Sequence, residues 1–134
     1  MKNVIEITEY IRSKVAQILE DKISGGIYPI GCRPFNSFSE DVVVAVSTAD
    51  AEQVQQGRAK INIFVKDIDN GSGHSVPNLQ RLAELAKADK QILEALNSDT
   101  NYLFKLSQAT SVIPETDNGQ HFANIAVSFK LVTF

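Results

Sequence analysis

Cysteine occurs once in this chain, at Cys32, and tryptophan not at all. A single cysteine excludes an intramolecular disulfide, and by count it excludes zinc sites built mainly on thiolates. A reducing compartment is the simplest setting for such a chain. No stretch approaches the roughly 18 apolar residues of a membrane span, and "MKNVIEITEYIRSK" carries charges where a signal peptide needs an unbroken apolar run. The expectation is a cytoplasmic protein, or one released from a cytoplasm. Nor is one sign of charge in large excess. A formal charge of −3 argues against a protein whose main task is neutralising phosphates, while local basic strips stay open.

What is present fits one folded unit. At 134 residues the chain suits a single domain, 1–134, burying roughly two-thirds of its unfolded surface. Hydrophobic and charged fractions of 43% and 22% lie near globular averages, against disorder or a coiled coil.

Ile7, Ile11, Val15, Ile18 and Leu19 recur at helical spacing, and Asn3 with Glu6 forms a plausible cap, so a first helix is expected over 4–23. "SGG" at Ser24–Gly26 stops it, glycine accepting the left-handed conformation of helix ends. "IYPIGCRPFNSF" is apolar but punctuated by Pro29, Gly31 and Pro34, which predicts a short edge segment and an irregular loop, with Phe35 and Phe38 covering part of the core. "DVVVAVS", Asp41–Ser47, is short and β-branched, as in a strand buried on both faces. A polar connection, "TADAEQVQQG", ends at Gly57.

"RAKINIFVK", Arg58–Lys66, alternates: Ala59, Ile61, Ile63 and Val65 face one way, while Arg58, Lys60, Asn62 and Lys66 face the other. A second helix is expected over 77–97, with Asp89 as the place where it kinks or restarts. "NYLFKLSQATSV" and "QHFANIAVSFKLVTF" read as strands joined by a hairpin at Asn118-Gly119, a pair that tolerates the positive φ of a type I′ turn. The order αβββαββ describes an α+β two-layer domain, an antiparallel or mixed β-sheet packed by two helices.

The segment "VKDIDNGSGHSVPNL" holds the residues that most look like chemistry. From Asp67 the register of a calcium loop fails, because Gly71 stands at the fifth position and Asn78 at the twelfth. "GSGHS" lacks the Gly-Lys-Ser/Thr of a phosphate loop and does not complete G-x-G-x-x-G. His74 and His121 have no nucleophile motif beside them and read as exposed or partly packed, and Cys32 as a small buried thiol. No catalytic, cofactor-binding or metal-binding set emerges, and no cofactor is implied. Arg58, Lys60, Lys66 and Lys130 form a positive stripe if their strands are neighbours, a contact for an acidic subunit or for nucleic acid. Together with Asp67, Asp69 and His74 they are the candidate interface residues. A metal-dependent hydrolase using Asp67, Asp69 and His74, and a nucleic-acid module using the stripe, are the competing readings.

The amphipathic first helix running into "GGIYPIGCRPF", the strands "DVVVAVS" and "GRAKINIFVKD", the helix "PNLQRLAELAKADKQILEAL" and the final "ANIAVSFKLVTF" together resemble the small tail terminator, or tail completion, proteins of long-tailed phages and prophages, lambda terminator included. The likeness spans nearly the whole chain as an order of elements. It implies a structural protein, not an enzyme, that caps the tail tube as a hexameric ring, ends tail polymerisation and offers a head-joining surface. Its implied partners are itself, the tail-tube protein and the head–tail connector. It implies no membrane and no sequence-specific nucleic acid, although DNA passes through the ring. A monomer in isolation is compatible with this, and the location is the host cytoplasm during assembly, then the virion tail. Another phage neck, head–tail joining or baseplate protein is the nearest alternative. The loop at Lys66–Ser75 is then a segment that orders against a neighbouring subunit.

Overall fold

The computed structural model describes residues 2–48, 54–71, 73–115 and 119–132. Asn3 accepts a hydrogen bond from the backbone N–H of Glu6 at 2.8 Å, which satisfies one of the donors that a helix start leaves unpaired. The helix so capped, α1, runs Val4–Leu19 and stops short of the expected residue 23. The two glycines beyond it are not in the left-handed region. Gly25 is required for another reason: a Cβ there would overlap the Asp41 carboxylate and the Glu40 carbonyl.

The remaining elements are β1 (Ile27–Pro29), β2 (Val42–Thr48), β3 (Val54–Lys66), β4 (Ile68–Asp69), β5 (Ser75–Val76), α2 (Leu79–Ala86), α3 (Asp89–Leu96), β6 (Tyr102–Leu106), β7 (Ser111–Glu115) and β8 (Gln120–Val132). The expected α+β fold is present, with helices on one face of a mixed, mostly antiparallel sheet. The order is β1-β2-β3-β8-β6, and β7 also pairs with β8. Among the described residues only β1 on β2 is parallel, the short proline-ended edge strand that its sequence predicts.

Three boundaries moved. β3 begins at Val54, so part of the expected polar connection is strand; Gly57 sits within it because the Phe129 ring and the Ser47 carbonyl leave no room for a Cβ. The single expected strand over 101–112 is broken. Leu106 pairs with Val127 but Ser111 with Asn124, so five steps on one side face three on the other. Because the excess of two is even, β6 and β7 keep the same faces. The second helix does restart at Asp89, as α3, and Asn78 caps α2 at 3.2 Å. Of the expected hairpin turn, Asn118 lies outside the described residues. Gly119 has φ +62°, and Glu115 pairs with Gln120.

Alternation along the strands divides the sheet. Val42, Val44, Ala59, Ile61, Ile63, Ala123, Ile125, Val127, Phe129 and Leu131 are buried against Ile7, Ile11, Val15, Leu82, Ile92 and Leu96 of the helices. Tyr10 stacks on Tyr102 with centroids 4.2 Å apart, and its hydroxyl donates to the Leu96 carbonyl. Among the described residues the opposite face carries no helix. β2 is therefore not buried on both sides: Val43 and Ala45 are half-covered and Ser47 is exposed.

Candidate assembly surface

The helix-free face has two unlike halves. Over one half lies the segment between β1 and β2, and a buried polar cluster fastens it. Asp41, 1% exposed, accepts hydrogen bonds from the Gly26 N–H at 3.0 Å, from Arg33 Nε at 2.9 Å and from the Ser37 hydroxyl at 2.5 Å. Burial pushes its carboxyl up, but these donors and the Arg33 charge outweigh that and hold it below the ordinary range. Arg33 also donates to Gln120 Oε1 at 2.7 Å and lies 4.1 Å from the Phe64 ring centroid. Gln120 in turn donates to the Ser37 carbonyl at 2.9 Å.

The neighbouring Glu40 reaches the helical layer. Arg81 of α2 grips both its oxygens, at 2.6 and 2.8 Å, which keeps the Glu40 carboxyl low and the guanidinium firmly charged. One loop is thus pinned on both sides of the sheet end. Held in it, and pointing away from the core, are Phe35 at 93% exposure, Ile30 at 68% and Phe38 at 51%. The expectation that Phe35 and Phe38 cover the core is overturned, because the strands beneath are already closed by Arg33 and Gln120. Cys32 is exposed rather than buried.

The segment that drew attention in the sequence is simpler. β4 and β5 pair as a two-residue ribbon, Ile68 with Val76 and Asp69 with Ser75, so the expected loop is a small hairpin. Asp69 accepts from the Gly71 N–H at 2.8 Å, and Gly71 and Gly73 take φ of +90° and +81°. His74 is exposed there. Asp67 turns elsewhere, its Oδ1 lying 2.7 Å from Nδ1 of the half-buried His121. Among the described residues no group of three or more His, Cys, Asp and Glu side chains stands as a metal-ligand set.

The basic residues are partly brought together. Arg58, Lys60 and Lys130 all lie exposed on the uncovered half, with Gln56 opposite Lys130 and Ser128 opposite Arg58. Lys66 is apart, six residues or about 20 Å along β3 from Lys60, with its ammonium 5.6 Å from the Phe38 ring. Lys105 of β6, opposite Ser128, completes the group and was missed. The alternation in "NYLFKLS" puts Lys105 opposite Tyr102 and Phe104 in facing, but only the paired register sets it beside Arg58.

No family model and no curated protein matches the chain. One solved structure, whose name states no function, is 12% identical over 94% of this chain and 96% of its own, with a TM-score of 0.39. That likeness is too slight to bear on function. Among the described residues no helix is long and apolar enough to cross a membrane.

Proposed function

We propose that this protein is a structural component of a long-tailed phage or prophage, of the tail terminator kind: a ring of about six copies that caps the tail tube, stops its growth and presents its far side to the head connector. The observation that carries the reading is the pinned loop with Phe35 at its surface. A buried ion pair is a poor source of stability, since desolvating both charges offsets most of their attraction. What the Asp41–Arg33 cluster does supply is a fixed direction for an apolar side chain that the fold itself leaves in water. Burying one phenylalanine against a neighbour returns about 1.5–3 kcal/mol, and a rigid loop loses little entropy in doing so.

A projecting loop meets a different patch on the next copy, and when the rotation between copies closes, such head-to-tail contacts form a ring that uses up every interface. The β4–β5 ribbon, with Ile68 exposed and two glycines at its tip, is a second segment able to settle against a neighbour or the tube. The resemblance of the sequence's element order to that of tail terminators supports the same reading. No step of it calls for a cofactor.

Light scattering over a concentration and ionic-strength series, with and without tail-tube protein, tests this. A closed ring, or a monomer that becomes one on the tube, is expected, and Phe35→Ser is expected to stay within about 0.5 kcal/mol of the parent's stability yet fail to assemble. A strict monomer that ignores tube protein, or a Phe35→Ser chain that assembles normally, would remove the proposal.

A further inference from the structure

The uncovered half of the sheet carries a charge pattern that neither the fold nor the ring reading uses. Ser47, Arg58, Ser128 and Lys105 stand in one row across β2, β3, β8 and β6. Lys130 lies one row outward beside Gln56, and Lys60 one row inward beside Ala45 and Ala126. With strands about 4.8 Å apart and same-face residues about 7 Å apart, the four cations occupy a field of roughly 10 by 14 Å. None of them makes an ion pair with a carboxylate among the described residues. Four like charges on one flat face repel one another, and no ion pair among the described residues relieves them.

The composition of this field decides between two anionic partners. Protein interfaces are depleted of lysine, serine and alanine at their centres and enriched in aromatics. Here lysine, arginine, serine and alanine make up the centre of the surface, with Leu103, Val54 and Val132 exposed only along its outer edge, and the exposed aromatics, Phe35 and Phe38, belong to the other half. Phosphate oxygens, by contrast, are contacted by arginine, lysine, serine and glutamine. Single strands are held by stacking bases on aromatic rings, and the rings on this face, Phe64 and Phe122, sit at the loop-covered end with Arg33 over Phe64. We propose that the open sheet half, Arg58, Lys60, Lys105 and Lys130, is a contact for the phosphate backbone of duplex DNA, made without reading sequence. The assignment goes beyond the ring reading and stands without it; within a ring, it makes this half the surface that faces the lumen.

Fluorescence anisotropy of a labelled random-sequence duplex of about 30 base pairs, titrated with the full chain between roughly 50 and 200 mM salt, tests the assignment. Four phosphate contacts predict a log–log slope near −3.6, an affinity loss of about 150-fold over that range. The double variant Lys60→Gln, Lys130→Gln should lower the slope by about 2 while melting like the parent, since neither lysine has an ion-pair partner among the described residues. No binding at the lowest salt, or an unchanged slope in the double variant, overturns the proposal. So does polyglutamate that binds as tightly as the duplex, which would mark the face as a site for an acidic protein. Light scattering of the same samples separates the two ideas. Duplex binding by a chain that never forms rings sinks only the ring reading, and rings that ignore DNA sink only this one.

Discussion

Two connecting segments of this molecule, 30–41 and 66–76, invert what their sequences advertise. The second, "KDIDNGSGHSV", concentrates carboxylates, glycines and a histidine, yet its Asp69 closes a turn on Gly71 and its His74 faces water. The first, "IGCRPFNSFSED", looks like filler, yet Asp41 gathers three donors in a buried cluster and Arg33 spans from it to Gln120 on the last strand. The difference lies in reach. A carboxylate whose donor is two residues away shapes a turn, whereas one that ties Gly26 before β1 to Arg33 and Ser37 of its own loop fixes that loop to the sheet.

The sharpest way to break this contrast is Asp41→Ala. It leaves the Arg33 guanidinium, 16% exposed, without its counter-charge, and a cost of about 3–5 kcal/mol is expected from chemical denaturation. Limited proteolysis should then cut within 31–40, where the parent resists. A loss under 1 kcal/mol would mean that the cluster is ornament and the loop stands by itself.

The effect of pH is gentler and has two signs. Hydrogen bonds hold Asp41 below the ordinary value of 3.8, so its contribution is present above that pH and is lost as pH falls through the lower folded value. Glu40, lowered mainly by its hydrogen bond from Arg81, behaves alike. Denaturation midpoints between pH 7 and 3 should therefore fall in the parent and fall less in Asp41→Asn. At the alkaline end burial, with the neighbouring Tyr10, pushes Tyr102 up to about 12 from 10.0; its contribution is whole below pH 10 and is lost as pH rises toward 12. Equal acid sensitivity in parent and Asp41→Asn would detach the acid limb from the loop.

The smallest effect belongs to the segment that looks most chemical. Asp69→Ala and His74→Ala should each change stability by no more than about 0.5 kcal/mol, as exposed substitutions do. A melting scan with added manganese, zinc or calcium should show no shift in either variant or the parent. A metal-dependent rise, which at a hundredfold excess over Kd amounts to about 2.7 kcal/mol, would restore a ligand site there.

Periodicity alone determined much of this protein. The first helix and its Asn3 cap, the alternating face of β3, the restart at Asp89 and the α+β class all follow from side-chain spacing, which is local information. Spacing could also assign Arg58, Lys60 and Lys130 to polar strand faces. It could not say that β3 and β8 are neighbours along thirteen residue pairs, nor that Lys105 joins them, because strand order depends on pairing between distant segments. The same limit hid the cluster. Arg33 and Gln120 are 87 positions apart, and nothing in either neighbourhood marks them as partners. It also left Phe35 looking like a core residue, since an apolar side chain in an aperiodic loop can turn either way. Local sequence decided which residues form helices and strands and which of their faces are apolar. Only the tertiary structure, by closing the sheet end with an arginine and leaving the other half bare, decided which polar residues hold the fold and which face outward.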